Sequence, residues 1–173
     1  MSAKASNAEQ LTALGDVARL FDDAGVEYWL FGGWAVDFYA GEATRMHDDI
    51  DFAVWRADVE QISELLERHD WRHAPYDDED GGTGYERAGV RVEVTYLERD
   101  GTGIVIPMRH GRVAWSDAPF GDEKRELHGT TARIIPLSLL TRGKSTPRDD
   151  PGDAAKDRAD FERLRALADL LLE

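Results

Sequence analysis

The sequence predicts an α+β fold: a mixed sheet flanked by helices, extended by β-hairpins and closed by C-terminal helices. Three observations carry this expectation. Helix-period stripes and short apolar runs alternate in the N-terminal part of the chain. Beyond about residue 85, period-two alternation broken by glycine turns indicates antiparallel hairpins. The C-terminal end then returns to helical spacing.

The elements follow in order. Ser6-Asn7-Ala8-Glu9 has the form of a capping box, with Ser6 as the cap and Glu9 three residues on. Leu11, Leu14, Ala18 and Phe21 recur at helical spacing, widened by Val17 and Leu20, and Gly25 is placed to end this helix. Tyr28-Trp29-Leu30-Phe31 is too short for a helix and rich in aromatics, hence a buried strand, and Gly32-Gly33 breaks it. A short helix over 34–39, closed by Gly41, and a strand over 50–54 come next. Asp58 caps a second amphipathic helix whose inner face is Val59, Ile62, Leu65 and Leu66, and Asp70-Trp71 leads into another strand. The stretch 76–85, with Asp77, Asp78, Glu79, Asp80 and three glycines, reads as a solvated loop or, next, as an acidic substrate-facing lid. Segments 85–88 and 90–96 flank Gly89 as a hairpin. In the second segment Val90, Val92 and Val94 share one face, and Arg91, Glu93 and Thr95 the other. Asp100-Gly101 turns the chain into Ile104-Val105-Ile106, and a further hairpin runs from Glu126 through Gly129-Thr130 to Ile134-Ile135. Pro136 and Ser138 start a short helix, and 145–153 is an exposed connection. The last helix is expected from about 154 to 172, with Phe161, Leu164, Leu167, Ala168 and Leu171 as its apolar face. The whole is expected to form one domain over 1–173, a core at about 8–108 and a hairpin and helical extension over about 109–173.

Composition narrows the function classes. With 42% hydrophobic and 32% charged residues the chain can build a globular core. No run of 18 apolar residues suggests a membrane span, and the N-terminus lacks the apolar segment of a secretory signal. Cysteine is absent, which excludes disulfides and thiol chemistry and agrees with a cytoplasmic location. The net charge of -14 argues against a broad nucleic-acid surface, which needs a basic face. Such a field suits a cationic small substrate, but solubility or a salty cytoplasm is the more common reason for it.

The chemistry gathers between Phe31 and Phe52. Asp49 and Asp51 are one residue apart at the start of a strand, so they point the same way with Cα atoms roughly 6.6 Å apart, a spacing able to grip a cation. Gly33 stands ahead of a helix, where free N–H groups and a partial positive charge receive phosphate. Phosphoryl transfer through two Mg²⁺ ions needs clustered carboxylates, backbone donors for the phosphates and a base for the attacking hydroxyl. Glu93 is the candidate base, being the acid of an otherwise β-branched strand. Alternation alone leaves it open whether Glu93 is buried and partnered or an outward residue of an edge strand. Asp48 falls on the opposite strand face and is left out of the metal shell.

These residues carry a resemblance. Gly32-Gly33-Trp34-Ala35-Val36-Asp37, then Gly41, then Thr44-Arg45-Met46-His47-Asp48-Asp49-Ile50-Asp51, resembles the signature of the polymerase-β-like nucleotidyltransferase superfamily. It is similar in particular to the aminoglycoside 2″-nucleotidyltransferases and the lincosamide nucleotidyltransferases of antibiotic resistance. Gly129 to Pro136 with Ser138-Leu139-Leu140, and Lys156-Asp157-Arg158-Ala159-Asp160, extend the match towards the C-terminus. The resemblance implies Mg²⁺-dependent transfer of a nucleoside monophosphate, usually AMP from ATP, to a hydroxyl of a small acceptor such as an antibiotic, with release of pyrophosphate. It implies that Gly32 and Gly33 contact the triphosphate, that Asp49 and Asp51 bind both Mg²⁺ ions, and that Glu93 joins one metal and acts as base. Arg45 either meets phosphate or fixes its loop by pairing with an acid. Lys144 and Lys156 are candidate phosphate contacts. His47, Asp37 and Asp157 are expected to organise local structure. Glu93 stands where relatives often carry Asp, and the added methylene shifts a base by about 1 Å, enough to alter rate. Two other readings fit the same core: a protein-modifying, antitoxin-like nucleotidyltransferase, and a non-catalytic nucleotide-binding module.

Overall fold

A computed structural model describes residues 3–76, 80–145 and 148–171. Asp77, Asp78, Glu79 and Leu172, and the side chain of Leu171, therefore lie outside the described residues.

Helix α1 (Asn7–Ala24) begins with the expected capping box. Ser6 Oγ accepts from the Glu9 N–H, the Glu9 side chain accepts from the Ser6 N–H, and Gly25 closes the helix in the left-handed conformation. Its buried stripe of Leu11, Leu14, Val17, Ala18 and Phe21 packs on the first strands. Strand β1 (Tyr28–Phe31), helix α2 (Gly32–Ala40) and strand β2 (Ile50–Trp55) follow, then a 3₁₀ turn (Arg56–Asp58) and helix α3 (Val59–Arg68). Four more strands come next: β3 (Arg72–His73), β4 (Gly82–Arg87), β5 (Val90–Asp100) and β6 (Gly103–Met108). Strand β7 (Gly111–Ser116), the hairpin of β8 (Lys124–Leu127) and β9 (Thr130–Arg133), and helices α4 (Leu137–Ser145) and α5 (Pro151–Leu171) complete the chain.

The main sheet runs β1-β2-β5-β4-β3, with β6 on the far reach of β5 and β7 beyond it. Strands β2 and β5 are parallel, and the other ladders of this sheet are antiparallel. Hairpin β8–β9 touches this sheet through a parallel bridge between Leu30 and Ile134. Buried residues from Ala5 to Leu164 form one hydrophobic cluster. Phe21, Tyr28 and Phe52 meet in it with ring centroids 5.4 to 5.7 Å apart, fixing α1 against β1 and β2.

Several boundaries differ from the expectation, each for a local reason. Helix α2 starts at Gly32 rather than residue 34, so both glycines belong to its first turn. The segment read as a loop up to residue 85 is strand from Gly82, because Gly82 and Gly84 fit close against β5 and Ala74. The β4–β5 turn places Ala88 and Gly89 both at positive φ, the backbone that a tight two-residue hairpin requires. Asp58 precedes α3 without a side-chain capping bond, since the 3₁₀ turn delivers the chain instead. Strand β7 is an unanticipated edge strand, mostly exposed and without an apolar alternation. Helix α5 begins at Pro151 within the expected connection: proline suits a first helical turn, and the Asp150 carboxylate accepts from the Asp153 N–H at 2.9 Å.

Candidate active site

The loop from α2 to β2 is built on buried Asp37. Its carboxylate accepts from the Thr44 N–H at 3.1 Å and the Thr44 hydroxyl at 2.5 Å, and meets His47 Nε2 at 2.5 Å. The His47 ring lies over Trp34 with centroids 4.4 Å apart, and buried Gln10 donates to the His47 carbonyl. His47 and Asp37 thus act as scaffold, as the sequence suggested. This scaffold delivers Arg45 and Asp49 to the mouth of the sheet.

Three carboxylates converge there. Strand β2 begins at Ile50, so Asp49 stands just before it and Asp51 within it, and the parallel register sets Asp51 directly opposite Glu93. Oxygens of Asp49, Asp51 and Glu93 lie within 4.8 Å of one another. Burial pushes Asp51 well above the usual carboxylate range, and the neighbouring charges of Asp49 and Glu93 push the same way. Burial also raises Asp49 and Glu93. Three acids held together at this cost, all with oxygen donors, form a fitting donor set for Mg²⁺. Asp48, one residue away, is exposed and paired with Lys4 and, at 2.9 Å, with Lys156; these lysines hold its carboxyl down at about 2.

Gly32 and Gly33 flank the carboxylates from the start of α2. Gly32 has a φ of 72°, and any Cβ there would overlap the Asp51 carboxylate. A Cβ on Gly33 would meet Arg45 Nη2 at 2.6 Å and His47 Nδ1 at 2.8 Å. Arg45 pairs with Asp160 at 3.3 Å, yet its Nε is buried without a partner among the described residues. A buried guanidinium N–H left open is a fit for an anion.

A cleft of about 450 Å³ gathers Gly32, Gly33, Arg45, Asp49, Asp51, Glu93, Lys144 and Lys156, so every sequence-proposed site residue lines one space. The lysines arrive already paired. Lys144 sits 3.1 Å from Asp157 and 3.0 Å from Asp160, and Lys156 reaches Asp48. Arg148 joins the same wall through Asp157 at 2.6 Å. Phe31, Ile106, Trp115, Ile135, Leu139 and Leu140 add an apolar, partly aromatic wall. No site role was expected for Arg148, for Arg91, or for Asp160 beyond its place in the Lys-Asp-Arg-x-Asp run. The i, i+3 spacing of Asp157 and Asp160 was visible as one helix face, and Arg91 shares the face of Glu93 by simple alternation.

Comparison with known proteins matches this architecture. A 2″-aminoglycoside nucleotidyltransferase from Escherichia coli is 37% identical over 60 residues, covering 33% of this chain and 34% of that protein, so the aligned stretch spans about a third of the relative's length. The lincomycin-bound lincosamide antibiotic adenylyltransferase LnuA superposes with a TM-score of 0.69 at 19% identity, covering 90% of this chain and 96% of that one. The aminoglycoside enzyme ANT(2″)-Ia in complex with adenylyl-2″-tobramycin gives 0.63 at 18% identity, covering 92% and 94%. At these identities the two structures establish a shared nucleotidyltransferase fold. The family model for aminoglycoside-2″-adenylyltransferase matches residues 13–164, from the first helix into the last and across every element that bears a site residue. The chain belongs to the aminoglycoside-2″-adenylyltransferase family.

Proposed function

We propose that this protein is a Mg²⁺-dependent nucleotidyltransferase that moves AMP from ATP onto a hydroxyl of a small acceptor of the aminoglycoside or lincosamide type. The observation that carries the proposal is the convergence of Asp49, Asp51 and Glu93 on one cleft floor, beside the glycine-led start of α2. In the reaction the acceptor oxygen forms a bond to the α-phosphorus, the bridging α–β P–O bond breaks, and pyrophosphate leaves. The hydroxyl proton passes to Glu93, the carboxylate that the parallel register sets opposite Asp51. Asp49 and Asp51, with Glu93, would hold two Mg²⁺ ions, which when bound neutralise the carboxylates and the triphosphate charge. Gly32, Gly33 and Arg45, which line the cleft, would receive the phosphates through backbone N–H groups and the guanidinium. Lys144 and Lys156 supply further positive charge while anchored by Asp157, Asp160 and Asp48.

Lincomycin, bound in one structural neighbour, and tobramycin, bound as its adenylyl-2″ adduct in another, are the first acceptors to test, within a wider panel of hydroxyl-bearing antibiotics. Purified protein with ATP and MgCl₂ is expected to release pyrophosphate and to yield an acceptor adduct heavier by one AMP unit in mass spectrometry. Pyrophosphate release that persists undiminished in Asp51→Asn would overturn the assignment.

A further inference from the structure

A glutamate reaches its target through three rotatable bonds, so its carboxylate needs an outside hold to keep one orientation. Glu93 has such a hold in Arg91. Strand alternation puts the two side chains on one face of β5, and Arg91 Nε donates to Glu93 Oε1 at 2.9 Å. The guanidinium is itself fixed. Its Nη1 donates to the Ala74 carbonyl at 3.0 Å and to Glu86 at 3.2 Å, and its carbon lies 5.7 Å from the centre of the Tyr76 ring. The space it occupies is made by Gly84, the register partner of Glu93 on β4. A Cβ there would meet the Ala74 carbonyl at 2.6 Å and Arg91 Cζ at 2.8 Å. Absence of a side chain on one strand thus permits an arginine on the next to lie flat and steer a carboxylate. Arg91 is not among the residues that line the cleft.

We propose that Arg91 is a positioning residue, which aims the Glu93 carboxylate at the metal and the acceptor proton without itself contacting either substrate. This rests on the nucleotidyl-transfer reading of the cleft. A carboxylate offers two oxygens; Arg91 engages Oε1 and so restricts how the group presents the other. The charge of Arg91 alone would act in the opposite direction. A cation beside the triad repels an incoming metal ion, so its removal would tighten metal binding if charge were its whole effect. Loss of the hold would weaken binding. The sign of the change therefore separates the two roles.

The test is Mn²⁺ binding, followed by electron paramagnetic resonance in the absence of nucleotide, for the wild type and Arg91→Met. The variant is expected to bind Mn²⁺ about tenfold more weakly, the usual scale for losing an outer partner of a ligand. In the transfer assay kcat is expected to fall by a similar factor, with KM for ATP and acceptor within about twofold of wild type. Arg91→Lys keeps the charge and a donor group but loses the planar fork, and is expected to lie between them in Mn²⁺ affinity. It carries the test if circular dichroism shows Arg91→Met misfolded, and Mn²⁺ affinity equal to wild type would then overturn the proposal. Binding as tight as or tighter than wild type in a folded Arg91→Met would overturn it, as would a loss confined to KM. A wild type that binds no Mn²⁺ would overturn the triad reading along with it, whereas a binding wild type with an unaffected variant overturns the positioning role alone.

Discussion

At the scale of single residues, the site is a concentration of like charge set up in advance of its ligand. Asp51 is held well above the ordinary carboxylate value by burial, then by Asp49 and Glu93. A carboxyl that binds its proton more tightly in the folded than in the unfolded chain adds stability at acid pH. That contribution is lost as pH rises through the raised value. The metal-free protein is therefore expected to melt at a lower temperature at neutral pH than at about pH 5. Saturating Mg²⁺ should remove this decline, because binding requires the ionised acids and displaces their protons. Asp48 has the opposite sign. Held at about 2 by Lys4 and Lys156, it stabilises the fold at neutral pH and loses that effect only as pH falls below its ordinary 3.8. Thermal melts in EDTA and in MgCl₂ across this range check both signs. In the same melts Asp51→Asn should raise the neutral-pH midpoint of the metal-free chain, while abolishing transfer; a lowered midpoint would refute the stored repulsion. Much of this was legible in the sequence. Period-two spacing separated Asp49 and Asp51 from Asp48, and set Glu93 apart from Val92 and Val94. The partners of the basic residues were not legible, because pairs such as Lys156 with Asp48 join residues that only the tertiary fold brings together.

At the scale of elements, α5 closes the cleft with its charged rather than its apolar face. Lys156 reaches the loop before β2, Asp157 takes Lys144 and Arg148, and Asp160 bridges Lys144 of α4 and Arg45 of the α2–β2 loop. The Lys-Asp-Arg-x-Asp run is thus a set of three tethers, with Leu164 providing the buried apolar anchor one turn on. Asp160→Asn leaves half-buried donors with a weaker acceptor, at an expected cost of about 2 kcal/mol. For a chain of this length that lowers the melting midpoint by roughly 4–8 °C. A calorimetric scan measures it, and KM for ATP should rise in parallel because Arg45 and Lys144 lose their shared anchor. An unchanged midpoint would show that Asp157 alone secures the helix. The helix itself was readable from Phe161, Leu164 and Leu167, but not its inward acids, since amphipathic spacing assigns charge to solvent by default. Strand β7 escaped for a related reason: an exposed edge strand such as Gly111–Ser116 carries little apolar pattern to read.

At the scale of the whole molecule, the chain belongs to the family whose signature its glycine and aspartate motifs carried, and the α+β architecture follows the expected order. One hydrophobic cluster holds residues from Ala5 to Leu164 together in a chain of 35 acidic and 21 basic residues. Exposed ion pairs contribute roughly 0–1 kcal/mol each, so the net charge of -14 should dominate the response to salt. Raising KCl from about 0.1 to 1 M shortens the screening length from about 10 to about 3 Å and should raise the melting midpoint. A falling midpoint would mean that the ion pairs outweigh the repulsion. The parallel pairing of β2 with β5 bears on how the protein is made. A parallel neighbour cannot be reached by a tight turn, so α3, β3 and β4 must all be laid down before Glu93 can join Asp51. During synthesis the growing chain therefore carries the two aspartates long before it owns their third companion. Under the proposed function, nucleotide and metal would find a complete receptacle only after this non-local contact closes, the slow kind of step in folding. The order of strands thereby acts as a timer that withholds the third carboxylate until the chain is past its midpoint.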